Sequence, residues 1–431
     1  MTMLLVFLGV LFGLVIFNVP VAFSLAASGI VMMLVGKMMS FSASIIASKL
    51  LQGVDNYVLL TIPFFIAAGE VMNRGGISIK LVKFTQALFK PIKGGLGYCG
   101  VLTSMIFAGV SGSAVADTTA VGSVLLPMMK DSKYDGAEST ALLCSAGCIG
   151  PIIPPSTQMI IYGVAVGVSV TKLFIGGVIP GILIGIALMI LWSFRVKKMN
   201  LDDSGKFDLK EVISTGREAI WAIMLPVFIL GSMLTGLATP TEAAVIALVY
   251  AILVGLFVYK QISLKDLPEI FVISAKGSAQ IMLVVGAATI AAYFVTIAHI
   301  PELLTDFLVS LTDNVYILVL LLNILFLLVG CVMDNGPAIL ILAPILLPVI
   351  DRFGLDPVYF GVVMVVNLCI GLLTPPVGNV LYVGMGLGSI SMEKLTRTLV
   401  PYIACMVIVL FIISYVPVLI TFLPSMVGNV R

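Results

Sequence analysis

The chain repeats itself without a gap. Cys148-Ile149-Gly150 followed by Pro154-Pro155 returns as Cys369-Ile370-Gly371 followed by Pro375-Pro376, an offset of 221 residues. The same offset pairs Gly109 with Gly330, Leu125-Leu126-Pro127 with Leu346-Leu347-Pro348, and Asp135 with Asp356. Further on it pairs Gly163 with Gly384, Gly167 with Gly388 and Pro180 with Pro401. Glycine and proline set backbone shape, so what is duplicated is the course of the chain and its interruptions. In an apolar sequence, matched helix breaks in two halves point to a binding site near the middle of a bilayer.

The chain is that apolar. Of its 431 residues 60% are hydrophobic and 10% charged, with a mean hydropathy of +1.21. A soluble protein carries about 25% charged residues, so the expected class is an all-α polytopic membrane protein. A net charge of +2 gives no case for nucleic acid or an acidic partner. The six cysteines lie in or at the edges of apolar segments and read as small packing residues. With a single His the chain has no zinc set. The N-terminus is apolar from Met3 with no Lys or Arg before it, which predicts mature membrane helix rather than a signal peptide.

A spanning helix needs about 20 apolar residues. The candidate segments are 2–17, 20–36, 54–73, 97–130, 138–166, 173–196, 218–236, 242–259, 276–298, 315–351, 357–387 and 399–422. Two are too long for one crossing: 97–130 is broken at Gly109-Val110-Ser111-Gly112-Ser113, and 315–351 at Gly330 and Met333-Asp334-Asn335-Gly336-Pro337. Both read as re-entrant helical hairpins with polar tips. Residues 76–91, with Ile77, Leu81, Phe84 and Leu88 on one stripe and lysines elsewhere, predict a helix lying at the interface; 39–51 and 262–275 are similar candidates.

Two repeats follow. The first, 1–217, holds scaffold helices over 1–73, the 76–91 arm, the hairpin, a broken helix over 138–166 and a helix over 173–196. The second, 218–431, holds scaffold helices over 218–259, an arm over 262–275, a helix over 276–298, the hairpin, a broken helix over 357–387 and a helix over 399–422. Each half makes five crossings, an odd number, so the halves are predicted to be inverted relative to each other. Charge supports this. With the 194–217 loop in the cytoplasm, only Lys37, Lys49, Lys172, Arg352 and Arg431 of the 23 Lys and Arg fall outside it, leaving 18 within. Both termini then lie on the periplasmic side.

The chemistry is expected at the breaks. Pro151, Pro154 and Pro155 lie inside one segment, and each costs about 3 kcal/mol in a regular helix. Such a stretch survives in a membrane where it lines a polar cavity. Its freed carbonyls suit a dehydrated cation, and half-helix N-termini suit an anion. At the tips, Ser111, Gly112 and Ser113 offer hydroxyls and close backbone approach, and Asp334 and Asn335 hold the positions equivalent to Ser113 and Ala114. Asp334 reads as a cation ligand or substrate contact, with a tip cap as the alternative. Asp117 reads equally as an N-cap of the second half-helix. Glu70 and Glu242, near segment ends, read as structural. His299 is expected in a solvated loop. Gly109-Val110-Ser111-Gly112 also matches the Gly-x-Ser-Gly of rhomboid-type intramembrane proteases, but these need a His within reach of the Ser, and the only His is expected at the outer surface.

On these residues the chain resembles the large membrane subunit of tripartite ATP-independent periplasmic (TRAP) transporters, the DctM family of the ion-transporter superfamily. The resemblance covers essentially the whole chain and rests on Gly109-Val110-Ser111-Gly112-Ser113-Ala114, Pro154-Pro155-Ser156 and Thr374-Pro375-Pro376-Val377-Gly378. The overall pattern is most similar to the sialic-acid, SiaM-like branch. The resemblance implies sodium-coupled import of an organic anion, handed over by a periplasmic substrate-binding protein, in the bacterial inner membrane. It also implies a separate four-helix small subunit, and an elevator in which hairpins and broken helices slide against a scaffold. One sodium site would use Gly109, Ser111, Gly150, Ile153 and Ser156. A second would use Gly330, Gly371, Thr374 and Val377. Substrate contacts would come from Ser113, Gln158, Asp334, Asn335 and Asn379. A net positive charge moving inward gains about 2.3 kcal/mol per 100 mV, and no nucleotide-binding loop is present, so sodium rather than ATP is the expected drive. A binding-protein-independent sodium–carboxylate symporter of the same superfamily is the competing expectation.

Overall fold

The computed structural model describes residues 2–36, 43–199, 201 and 205–426. The first half runs α1 (Thr2–Ile16), α2 (Val21–Gly36), α3 (Ala43–Val54), α4 (Thr61–Arg74), α5 (Ile77–Phe89), α6 (Gly95–Ser111), α7 (Ala114–Asp131), α8 (Gly136–Gly147), α9 (Thr157–Val166) and α10 (Val170–Val196). The second runs α11 (Leu209–Leu234), α12 (Pro240–Leu253), α13 (Leu267–Ile297), α14 (Ile300–Leu311), α15 (Val315–Val332), α16 (Asn335–Arg352), α17 (Pro357–Gly371), α18 (Asn379–Gly388), α19 (Met392–Tyr415) and α20 (Val418–Met426). The chain is an all-helical, multi-pass membrane protein. Among the described residues seven helices are long and apolar enough to cross a bilayer, or eight if α3 and α4, bent by 58°, count as one span. Large apolar side chains such as Trp221, Phe228, Phe257 and Leu328 stand outward, as a lipid-facing surface requires.

The sequence repeat is a repeat of elements. Shifting the bounds of α7 by 221 gives 335 and 352, the bounds of α16, and α8 and α9 fall on α17 and α18 to within three residues. The duplicated aspartates now have a reason. Asp135 Oδ1 accepts from the N–H groups of Ala137 and Glu138, and Asp356 Oδ1 from those of Val358 and Tyr359, so each caps the first half of a broken helix.

Two expectations need correction. The 262–275 stretch is not a separate arm: from Leu267 it is the start of α13, which continues unbroken for 31 residues. In the first half the equivalent chain breaks, because Asn56 caps a 3₁₀ turn over Tyr57–Leu60 and Pro63 follows in the first turn of α4. The second half has Gly277 and Val284 at those places and no such stop. By the same offset α5 falls on α14, which is opened by Pro301 and Glu302. Finally, 399–422 is two helices, divided at Val416-Pro417. Of the 39–51 candidate, 43–51 lies in α3, while 39–42 falls outside the described residues.

Two packed groups result. Helices α1–α4 and α11–α13 pack on one another, with Gly29 against Ala291 and Gly53 against Thr289 and Gly286. Helices α6–α10 and α15–α20 form the other group, in which α9 packs on α16 and α18 on α7, so each broken helix flanks the opposite half's hairpin. Within this group Glu138 on α8 holds Arg195 of α10 through two contacts (Nη2 2.6 Å, Nε 3.2 Å) and accepts from the Tyr402 hydroxyl of α19 at 3.0 Å.

Candidate substrate and ion site

At the first tip, Gly112 takes φ +61° and ends α6, and Ser113 caps α7, its hydroxyl accepting from Ala116 N–H. The tip meets the first break: the Thr157 hydroxyl donates to the Gly112 carbonyl at 3.3 Å. Ser156 caps α9, accepting from Met159 N–H at 3.2 Å while its hydroxyl donates to the Pro151 carbonyl at 2.5 Å. One lone pair of that hydroxyl is left over. Asp117 is not the cap. Its Oδ1 accepts from the Ser111 hydroxyl, and its Oδ2 is buried with no partner among the described residues. That oxygen presses on Gly150, where a Cβ would sit 2.3 Å away. The Thr118 hydroxyl, equally buried and unpartnered, packs on Gly147. Buried oxygens without partners cost about 1–3 kcal/mol each, more when charged, and a set of carboxylate, hydroxyl and unwound backbone is the donor chemistry of a sodium ion. The residues therefore fit one. Sequence reading left Asp117 divided between cap and ligand and missed Thr118; their position one turn past the Ser111–Ser113 tip was the available signal.

The other predicted members of the first set lie farther back. Gly109 packs against Pro226 of α11, with the Pro154 carbonyl 3.7 Å from where its Cβ would be, and the Ile153 side chain packs on Gly181 of α10.

The second tip and break also meet. Val377 N–H donates to the Cys331 carbonyl at 3.1 Å, and a Cβ on Gly371 would lie 2.5 Å from the Gly330 backbone, so only glycine allows this crossing. The Thr374 hydroxyl lies 2.6 Å from the Gly371 carbonyl and 2.8 Å from Cys331 Sγ. Asp334 caps α16, accepting from Asn335 N–H at 2.9 Å and from the Asn379 amide. Asn335 is buried, donating to Cys369 Sγ at 3.2 Å, with its Oδ1 unpartnered. Unlike the first break, Pro375, Pro376 and Val377 are exposed.

A cleft of about 510 Å³ lies between the two groups, lined on one side by Ser111, Ser113, Thr157, Gln158 and Asp334, and on the other by Glu70, Asn73 and Gln280. Three helix N-termini, those of α7, α9 and α16, end on it. Of the predicted substrate residues it gathers Ser113, Gln158 and Asp334; Asn335 and Asn379 stand behind Asp334 and do not line it. Glu70, read as structural, lines the cleft while paired to Arg74 at 2.9 Å, and Arg74 bridges on to Glu269 of α13. Glu242 is structural: it completes a capping box with Thr239 on α12. His299 heads α14 with a largely exposed side chain beside Glu302. The hydroxyl of Ser111 is given to Asp117 instead, so the protease constellation is not formed.

Residues 8–419 match the family model described as the DctM component of tripartite ATP-independent periplasmic transporters. A putative TRAP transporter large permease of Haemophilus influenzae is 44% identical over 96% of this chain and 97% of its own. The 2,3-diketo-L-gulonate TRAP transporter large permease YiaN of Escherichia coli is 40% identical over 96% and 97%. The sialic acid large permease SiaM of Vibrio cholerae is 35% identical over 96% of both chains, so the sialic-acid branch is not singled out. In fold the chain is similar to the YdaH transporter of Alcanivorax borkumensis, with TM-score 0.64, 14% identity and 86% of each chain covered. The chain thus belongs to the DctM family: it is the large permease of a tripartite ATP-independent periplasmic transporter, a transport component and not an enzyme.

Proposed function

We propose that this permease couples the entry of sodium ions to the import of a small organic acid anion, delivered by a periplasmic binding protein, across a bacterial inner membrane. The observation that carries the reading is the cleft on which three half-helix N-termini end, with an unpartnered carboxylate oxygen buried behind one of them. N–H groups at helix starts attract an anion without a basic side chain, and among the described residues no Lys or Arg lines the cleft. When ionised, Asp334 only accepts hydrogen bonds, and in that form it takes a substrate hydroxyl or a sodium ion rather than the substrate carboxylate. The first sodium lies among Ser111, Asp117, Gly150 and Ser156, and the second beside Gly330, Gly371, Thr374 and Val377.

The halves are inverted, the hairpin group is the moving part of an elevator, and both termini face the periplasm. The cleft then opens to the cytoplasm, on the side of Arg74 and Glu269, as an inward-facing state. A separate small subunit completes the system. In support, this chain matches only 65% of the isethionate TRAP transporter permease DctMQ of Oleidesulfovibrio alaskensis, which leaves room there for a second component. Relatives' names include diketogulonate, sialic acid and C4-dicarboxylate, so the proposal stops at the class of organic acids.

The test is uptake into proteoliposomes under a sodium gradient, with the cognate binding protein and labelled N-acetylneuraminate, succinate and 2,3-diketogulonate. Uptake of one of these that needs both sodium and binding protein is expected. Full-rate uptake without the binding protein would mark a simple symporter, and indifference to sodium would remove the coupling.

A further inference from the structure

A second cavity, of about 270 Å³, lies beyond the cleft along the same three helices. On α9 the lining passes from Gln158 and Ile161 in the cleft to Val164 in the cavity; on α13 from Gln280 and Val284 to Val285 and Thr289. On α16 it passes from Pro337 to Pro344, and Leu340 touches both spaces. About one helical turn, roughly 5 Å, separates them. Among the described residues the polar lining of the far cavity is Gln52, Asn56 and Thr289, with no acid.

Its amides are oriented. Gln52 Oε1 accepts from Lys49 Nζ at 2.9 Å, and Asn56 Oδ1 accepts from Val58 N–H at 2.9 Å. Each amide thus gives its oxygen to the protein and keeps its NH₂ donors, which bond to nothing among the described residues. Lys49 sits 4.6 Å from the centre of the Tyr293 ring and pairs with no carboxylate among the described residues. Neither Lys49 nor Asp55 lines the cavity itself; Lys49 is tied to it through the lining residue Gln52.

We propose that this cavity is an outer receiving site for the carboxylate of the transported acid, with Lys49 supplying the charge and Gln52 and Asn56 the N–H donors. This rests on the transport reading, which makes the cavity the periplasmic mouth sealed from the cleft by Ile161, Val284 and Leu340. The Lys49 ammonium is one of the few cations expected on that side, so its field there is not diluted by a general basic surface.

The experiment needs neither substrate nor sodium. Thr289→Cys is reacted with matched sulfonate-bearing and trimethylammonium-bearing methanethiosulfonates; rates are corrected for the parent chain and normalised to a small free thiol. A unit cation within a Debye length at water-like dielectric favours the anionic reagent by about twofold or more, and Lys49→Gln should bring the ratio to about one. If Thr289→Cys fails to fold, Ala292→Cys lines the same cavity. No anionic preference, or a preference that survives Lys49→Gln because another group or a docked protein surface sets it, overturns the proposal. Either result leaves the sodium-uptake test untouched, and failure of that test leaves this rate ratio as measured.

Discussion

At the scale of single residues, the informative group is Asp117. Its second oxygen has no partner among the described residues, yet it lies against Gly150 at the unwound break, a costly arrangement unless a cation completes it. Asp117→Asn keeps the volume and removes the charge. It is expected to raise the sodium concentration for half-maximal uptake by about tenfold, equivalent to about 1.4 kcal/mol; an unchanged sodium dependence would exclude Asp117 from the ion site. Spacing alone located Asp117 but left it divided between cap and ligand. Ser113 proved to be the cap, and that depends on the φ and ψ of two tip residues, which no spacing specifies. Gly371 gives a packing test. An added methyl would lie 2.5 Å from the Gly330 backbone, whereas one on Gly231 meets nothing within 4 Å. Gly371→Ala should cost about 1–3 kcal/mol, seen as a lower Tm in detergent, and Gly231→Ala should not lower it.

At the scale of elements, the repeat read from proline and glycine fell on the helices to within a few residues, because those residues act on the chain locally. Where the halves diverge the cause is also local. Asn56 and Pro63 bend α3 against α4, and their absence lets α13 run straight. The straight helix was missed because a stretch that opens on Lys265, Asp266 and Glu269 looks interfacial when read without its successor. α14 was missed although Ile300, Leu304, Phe307 and Leu311 carry a helical spacing and the offset from α5 falls on it. The tie between elements was not legible at all. Glu138, Arg195 and Tyr402 come from three helices, and only packing brings them together. Arg195→Ala leaves the Glu138 carboxylate half-buried and unpaired by charge, and should cost about 2–4 kcal/mol, measurable as a drop in Tm.

At the scale of the whole molecule, the proposed transport cycle requires that two hollows be kept apart. The cleft and the far cavity both touch Leu340, and a barrier one turn thick is easily breached. Leu340→Ala removes most of that side chain. An impermeant thiol reagent applied from the side of Glu70 and Asn73 should then reach Thr289→Cys, which it should not label when Leu340 is intact. Equal labelling in both chains would show that the seal lies elsewhere.

The sequence by itself determined that the protein lives in a membrane, that it is built twice on one pattern, and that matched breaks between helices carry polar groups in each half. These follow from hydropathy and from residues whose backbone effect is local. Only the tertiary structure decided which tip meets which break, that Ser113, Gln158 and Asp334 share a cleft with Glu70 and Gln280, and that Asn335 and Asn379 stand behind it. Those outcomes are set by how helices far apart in the chain pack, and the helix-to-helix distances that packing fixes are written in no single segment.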